Sequence, residues 1–233
     1  FADEQFTIIE QGNSNKSASY DGWVDLFGWG TSGWSGSGAN KYQPYDLGGF
    51  SDDYYLGGSA GNNMTGDYAN ADWGIYNAIS NGGNKAGLWR TPTMAEWEYL
   101  RSGRPNADNL VAVACVNNVN GVIILPDNWE LPSGITFNPG FSSGNGDEYF
   151  KTINEYTYDE WKKMEANGAL FLPTSCTLAG TTVQYIRDDG SYWSSTTSGA
   201  SACYFGLRSN KTSFIYEYNR GYGRGVRLLK EVT

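Results

Sequence analysis

Histidine is absent from all 233 residues. Without an imidazole there is no Ser-His or Cys-His nucleophile, no histidine general base and no histidine-containing zinc or iron site. Carboxylate-based hydrolysis and an oxygen-ligated calcium site survive that exclusion. Cysteine is scarce as well. Cys115, Cys176 and Cys203 are odd in number and widely spaced, which fits neither a disulfide framework nor a metal knuckle. One pair could bridge in an exported protein; three small buried thiols are the simpler reading. Charged residues make up only 18% of the chain and sum to −9, the wrong sign for nucleic-acid binding. No apolar run approaches the length needed to cross a bilayer, so no membrane span is expected. The opening Phe1-Ala2-Asp3-Glu4 carries no signal-peptide pattern and reads as a mature terminus or an internal cut.

Glycine, with 31 copies, and aromatic residues, at 15%, are abundant. Together they predict a turn-rich globular chain anchored by large rings. Residues 20–70 concentrate both, as in Gly22-Trp23-Val24-Asp25-Leu26-Phe27-Gly28-Trp29-Gly30, and read as ordered loops rather than a linker. No cofactor is expected. Asp52, Asp53 and Asp67 leave a structural calcium ion open, with ordinary turn residues as the simpler reading.

Residues 71–80 predict a short helix capped by Asp72, with Ile75, Ala78 and Ile79 on one face and Gly82 or Gly83 as its stop. Thr93 with Glu96, and Thr157 with Glu160, are capping boxes that predict helices carrying Trp97 and Leu100, and Trp161 and Met164. Residues 110–125 predict a hairpin turning at Asn120-Gly121. Ala169–Pro173 predicts a buried strand, and Tyr192–Ser195, Ala202–Arg208 and Gly225–Leu229 predict three more. In the middle one, Phe205 and Leu207 share one side while Tyr204, Gly206 and Arg208 share the other. The whole, residues 1–233, reads as one α+β domain.

The C-terminal segment differs in composition from what precedes it. From Ser191 onward there are six basic residues (Arg208, Lys211, Arg220, Arg224, Arg227, Lys230) against the acids Glu217 and Glu231, while residues 1–190 are strongly acidic. Tyr192, Tyr204, Tyr216, Tyr218 and Tyr222 fall in the same stretch. Tyrosine and arginine combine contact area with a polar handle, so this segment reads as a basic, aromatic recognition patch.

Trp89-Arg90-Thr91-Pro92-Thr93-Met94-Ala95-Glu96-Trp97-Glu98-Tyr99-Leu100 resembles the R-L-P-T-E-A-E-W-E-Y signature of formylglycine-generating-enzyme-like domains, and Gly225-Val226-Arg227-Leu228-Leu229 their closing G-F-R-L-V strand. The resemblance implies a C-type lectin-type fold, with short antiparallel sheets, two or three helices and long ordered loops. It does not extend to catalysis. The enzymes' reactive cysteines and the related sulfoxide synthases' histidines have no counterpart, and Cys203 stands alone. The segments Asp25–Gly33, Asp72–Gly74 with Asn77–Ile79, Trp89–Leu100, Gly168–Pro173 and Tyr192–Leu228 resemble, as a set, bacterial surface and phage tail proteins of that fold.

Some of those proteins are variable proteins of diversity-generating retroelements, which rewrite adenines in a C-terminal cassette. The resemblance implies a diversified segment at about 192–227, with Tyr204, Gly206, Arg208, Tyr216, Tyr218, Tyr222 and Arg224 as ligand-binding positions. Trp193, Phe205, Leu207 and Val226 would be framework. It further implies a non-enzymatic adhesion or receptor-binding role at the cell exterior or on a phage particle, with a protein or glycan receptor on another cell as partner. A carbohydrate-binding surface lectin without diversification is one alternative. A relict enzyme using Asp25, Asp127 and Glu130 is another.

Overall fold

The computed structural model describes residues 2–14, 22–36, 54–79, 85–213 and 217–230. Within them the chain is mixed α+β, with several short sheets and few helices. The α-helices are α1 (Trp73–Tyr76), α2 (Met94–Glu98) and α3 (Tyr158–Ala166). The strands are β1 (Trp89–Arg90), β2 (Val111–Val116), β3 (Val119–Ile124), β4 (Glu155–Tyr156), β5 (Leu170–Pro173), β6 (Thr177–Ala179), β7 (Thr182–Gln184), β8 (Asp189–Ser198), β9 (Ser201–Arg208), β10 (Lys211–Ser213) and β11 (Leu229–Lys230). Among the described residues no helix is long and apolar enough to cross a membrane.

Both capping boxes form. Thr93 and Thr157 each accept from the amide of the glutamate three residues on, whose carboxylate accepts in return from the threonine amide at 2.8 Å. Each box thereby satisfies two helix-end donors that would otherwise be unpaired. Trp97, Trp161 and Met164 are buried, as their spacing predicts.

The third helix prediction needs correction. α1 spans four residues, Asn77 leaves it in an extended conformation, and Ala78 is exposed instead of sharing a buried face with Ile75 and Ile79. Gly82 and Gly83 lie outside the described residues. Tertiary contact decides the outcome: a Cβ on Gly74 would collide with the Trp89 carbonyl, so α1 is pressed against β1 and the chain turns away one turn later.

Asp72 fixes that junction. Its carboxylate accepts from the Gly74 amide at 3.1 Å, the Thr91 amide at 2.7 Å and the Thr91 hydroxyl at 3.0 Å, and it is fully buried. Burial, only partly offset by those hydrogen bonds, lifts its pKa from 3.8 to about 6. A carboxyl whose folded pKa exceeds its unfolded value takes up its proton first in the folded state, so stability rises as pH falls through 6. Glu96 behaves oppositely. Hydrogen bonding to Arg90 holds its pKa at about 2, so its contribution is complete above pH 4.5 and lost below. Unfolding free energy should therefore rise by about 1 kcal/mol between pH 7 and pH 5. The Asp72→Asn variant should flatten that rise, and an unaltered pH profile in the variant would contradict it.

A four-stranded sheet in the order β4-β2-β3-β5 forms the centre. The hairpin within it turns at Asn117-Asn118, both at positive φ (48° and 65°), and not at Asn120-Gly121 as the sequence predicts. Asn117 and Asn118 supply the two left-handed residues of a tight hairpin turn. Gly121 is needed inside β3 instead, where a side chain would strike the Leu172 carbonyl and the Phe171 ring of β5.

Side chains alternate across this sheet. Ala114, Val116, Ile123 and Phe171 pack with Trp161 and Met164 of α3. Val111, Val113, Val122, Ile124 and Leu172 pack on the other side with Trp97, Tyr192, Phe205 and Leu207. The last three belong to a second antiparallel sheet, β10-β9-β8, in which Tyr192 pairs with Phe205 and Trp193 with Tyr204. Its far side carries Trp193 and Ala202 into a third cluster with Trp29, Leu56, Met64 and Trp73. The alternation predicted in β9 is present, but on the predicted outer side Tyr204 packs half-buried against the third cluster and Arg208 alone is exposed.

The final predicted strand is also revised. Residues 226–228 form no strand, Leu229–Lys230 pairs with Trp89–Arg90, and Gly223 to Gly225 make single bridges.

Candidate binding surface

Residues 217–225 cross the second sheet without a strand of their own, yet several neighbouring segments hold them. Tyr218 exchanges backbone hydrogen bonds with Ala202 at 3.0 and 3.1 Å, and the Arg220 carbonyl accepts from Trp29 at 2.8 Å. Gly223 pairs with Leu178 at 2.9 Å in both directions, and Arg224 with Phe27 at 2.9 and 3.0 Å. Gly225 donates to Ser191 at 2.9 Å and accepts from Trp193 at 3.0 Å. A turn built on Asn219, whose side chain accepts from the Gly221 amide at 2.8 Å, joins the first two contacts to the rest.

The two glycines around Arg224 have a steric cause. A Cβ at 223 would sit 2.7 Å from Leu178, and one at 225 would sit 2.9 Å from the Tyr192 ring. Close packing on that side sends the Arg224 side chain to the opposite one, as alternation in extended backbone requires.

There it meets rings. Its guanidinium carbon lies 3.6 Å from the Tyr204 ring centroid, 5.0 Å from Tyr218 and 5.1 Å from Trp193. The rings stand edge to face. Trp193–Tyr204 are 6.2 Å apart at 88°, Tyr204–Tyr218 6.5 Å at 89°, and Tyr218–Tyr222 4.7 Å at 89°. Trp193 is fully buried and donates to the Phe27 carbonyl at 2.7 Å, Tyr204 and Tyr222 are half-buried, and Tyr218 is 41% exposed. The cluster thus rises from a fixed indole to open phenols. Burial lowers the Arg224 pKa to about 10, so the group remains cationic at neutral pH. Burial, then the neighbouring Tyr218, raises that of Tyr222.

Of the predicted ligand-binding residues, Tyr204, Tyr218, Tyr222 and Arg224 come together here. Arg224 is not displayed, however: it is 3% exposed and forms the floor. Gly206 is buried within β9, the central strand of its sheet, where it pairs with Ser191 and Ser213. Arg208 is exposed at the far end of β9 and forms a two-pronged pair with Asp189 at 2.8 and 2.9 Å. Tyr216 lies outside the described residues.

The basic patch inferred from composition is largely internal. Arg220 and Arg224 are buried, Arg227 is partly buried with an Nη2 donating to Gln5 at 2.8 Å, and Arg208 is paired. Lys211 and Lys230 are exposed. Guanidinium groups tolerate this placement because ring faces and carbonyl oxygens replace water around them. Trp193, predicted as framework alone, is also a wall of the cluster. The Gly-Arg-Gly triplet was the available sequence signal for a buried arginine.

The residues considered for chemistry occupy other roles. Cys203 is buried and its thiol pKa is raised by burial, as is that of Cys115; burial lifts Cys176 to about 12. Asp25 accepts from the Ile9 amide at 3.0 Å and from Asn13 at 2.6 Å, tying the N-terminal turn down. Asp127 pairs with Arg104 at 2.9 Å and accepts from Tyr99 at 3.1 Å, while Glu130 is exposed. Asp67 is exposed in a short 3-10 helix, and Asp52 and Asp53 lie outside the described residues. A cleft of about 370 Å³ lies elsewhere, between Arg101, Asp108, Phe141 and Lys211. No family model, curated protein or solved structure matches the chain.

Proposed function

We propose that this chain is a ligand-binding domain of C-type lectin type, without catalytic activity, whose partner-contacting face is Tyr204, Tyr218 and Tyr222 above Arg224. Its partner would be a protein or glycan receptor on another cell, met at a cell surface or on a phage particle. One observation carries the reading: tyrosines from two separate segments converge on one surface over a fixed guanidinium. Large rings held in place contribute contact area at low ordering cost, which is how a recognition surface gains affinity.

We propose further that the surface belongs to the retroelement-diversified class. The structure narrows the positions at which variation would be tolerated. Arg208 and Tyr218 are exposed and Tyr204 and Tyr222 half-buried, so variation would fall on these four, whereas Gly206 and Arg224 are buried. The test lies in the gene's neighbourhood. A reverse transcriptase gene and a near-copy of the coding segment for residues 192–227, differing only at adenines, are expected. A copy differing at other bases, or no copy, would contradict diversification while leaving ligand binding open to its own test.

A further inference from the structure

Five other arginines have evident acceptors. Arg90 pairs with Glu96, Arg104 with Asp127, Arg187 with Glu10 and Arg208 with Asp189. Arg220, fully buried, donates to the carbonyls of Tyr54, Ala60, Gly199 and Ser201. Arg224 differs. It is 3% exposed, its Nε, like that of Arg220, has no hydrogen-bond partner, and no carbonyl or carboxylate among the described residues accepts from its side chain. Its polar neighbours are the phenols of Tyr204, which shares a side-chain hydrogen bond with it, Tyr218 and Tyr222, and its remaining donors face no charged acceptor among the described residues.

Ring faces stabilise the flat sides of a guanidinium but do not use its in-plane donors. A buried cation left this way is costly, and an anion of matching geometry relieves the cost. A carboxylate fits best, because its two oxygens match the guanidinium fork. The rings stand at 88–89° to one another, so they present no flat platform for a sugar ring, and a slender side chain carrying the carboxylate suits them better.

We propose that Arg224 receives a carboxylate from the bound partner, an aspartate or glutamate side chain of a protein ligand, with Tyr204, Tyr218 and Tyr222 as the rings around it. This rests on the tyrosine face being the binding face. It adds a division of labour: Arg224 is the constant anchor, and the tyrosines around it set which acidic segment is accepted.

The test uses the intact chain with ¹⁵N-labelled arginine, following the Arg224 Nε–H resonance, assigned by its loss in Arg224→Lys. Titration with glutamate capped at both ends should shift that resonance saturably, with a Kd on the order of millimolar, as expected for a single charged contact. Glutamine capped in the same way should leave it in place. No shift with capped glutamate, or equal shifts with both, would overturn the proposal. Glucuronate binding more tightly than capped glutamate would overturn the assignment to a protein. Once a protein partner is in hand, Arg224→Met should weaken its binding at least tenfold. Binding lost in Tyr218→Ala but kept in Arg224→Met would remove the carboxylate and leave the tyrosine face standing. Binding unaffected by either change would remove both.

Discussion

Trp193→Ala should destabilise the protein by roughly 3–5 kcal/mol, the scale for deleting a fully buried indole. Trp193 is 0% exposed and lies where the second sheet meets the third core cluster, beside Trp29, Trp73 and Ala202. Its indole donates to the Phe27 carbonyl at 2.7 Å, its own carbonyl accepts from Trp97 at 3.4 Å, and its amide holds Gly225 at 3.0 Å. Removing the ring leaves a cavity, leaves the Phe27 carbonyl with the Arg224 amide as its remaining donor and takes away one wall around Arg224. Trp193→Phe keeps most of the apolar volume and should cost about half as much. Tyr218→Ala, at an exposed position, should cost about 1 kcal/mol or less. Urea unfolding of the three variants checks the ranking. A Trp193→Ala loss no larger than that of Tyr218→Ala would contradict the layered core.

Arg220→Met should cost a similar amount, about 3–5 kcal/mol, for a different reason. The guanidinium lies 4.7 Å from the ring centroids of both Trp29 and Tyr55 and donates to four carbonyls, on Tyr54, Ala60, Gly199 and Ser201. Burial pulls its pKa down to about 10, which still leaves it charged at neutral pH. Methionine fills much of the volume but leaves those carbonyls without their donor, and it ends the bridge between residues 54–60 and the β8–β9 turn. Arg220→Lys should recover less than half of the loss, since an ammonium cannot reproduce the planar fork or the ring stacking. Thermal unfolding measures the loss, and limited proteolysis should show earlier cleavage near residues 54–60 in Arg220→Met. Full recovery by lysine would mean that charge alone matters there.

Local signals were the legible part of this fold. The capping boxes at Thr93 and Thr157 involve groups three residues apart, so spacing is enough to predict them. The buried strand at Leu170–Pro173 follows from its apolar run. Non-local contacts were not legible. Asn120-Gly121 has the composition of a turn, yet Gly121 serves close packing against Phe171 and Leu172, and Asn117-Asn118 makes the turn. Helix α1 is cut short by its contact with Trp89.

The same division holds for the candidate site. The tyrosine content and the alternation of Phe205 and Leu207 against Tyr204 point to the right segment. Composition records charge but not its burial, so the excess of arginine reads as a surface patch when much of it forms internal pillars. The convergence of Tyr204 with Tyr218 and Tyr222 depends on bridges from residues 217–225 to Ala202, Leu178 and Phe27, which no spacing rule anticipates.

Binding to an array of proteins and glycans, with Tyr218→Ala and Tyr222→Ala beside the unaltered chain, tests the proposed face most directly. The unaltered chain should bind a protein or glycan on the array, and each variant should lose at least tenfold in affinity while unfolding at nearly the same temperature, as expected for anchors at an exposed (Tyr218) and a half-buried (Tyr222) position. Binding that neither change affects would place the contact elsewhere on the molecule and contradict the account.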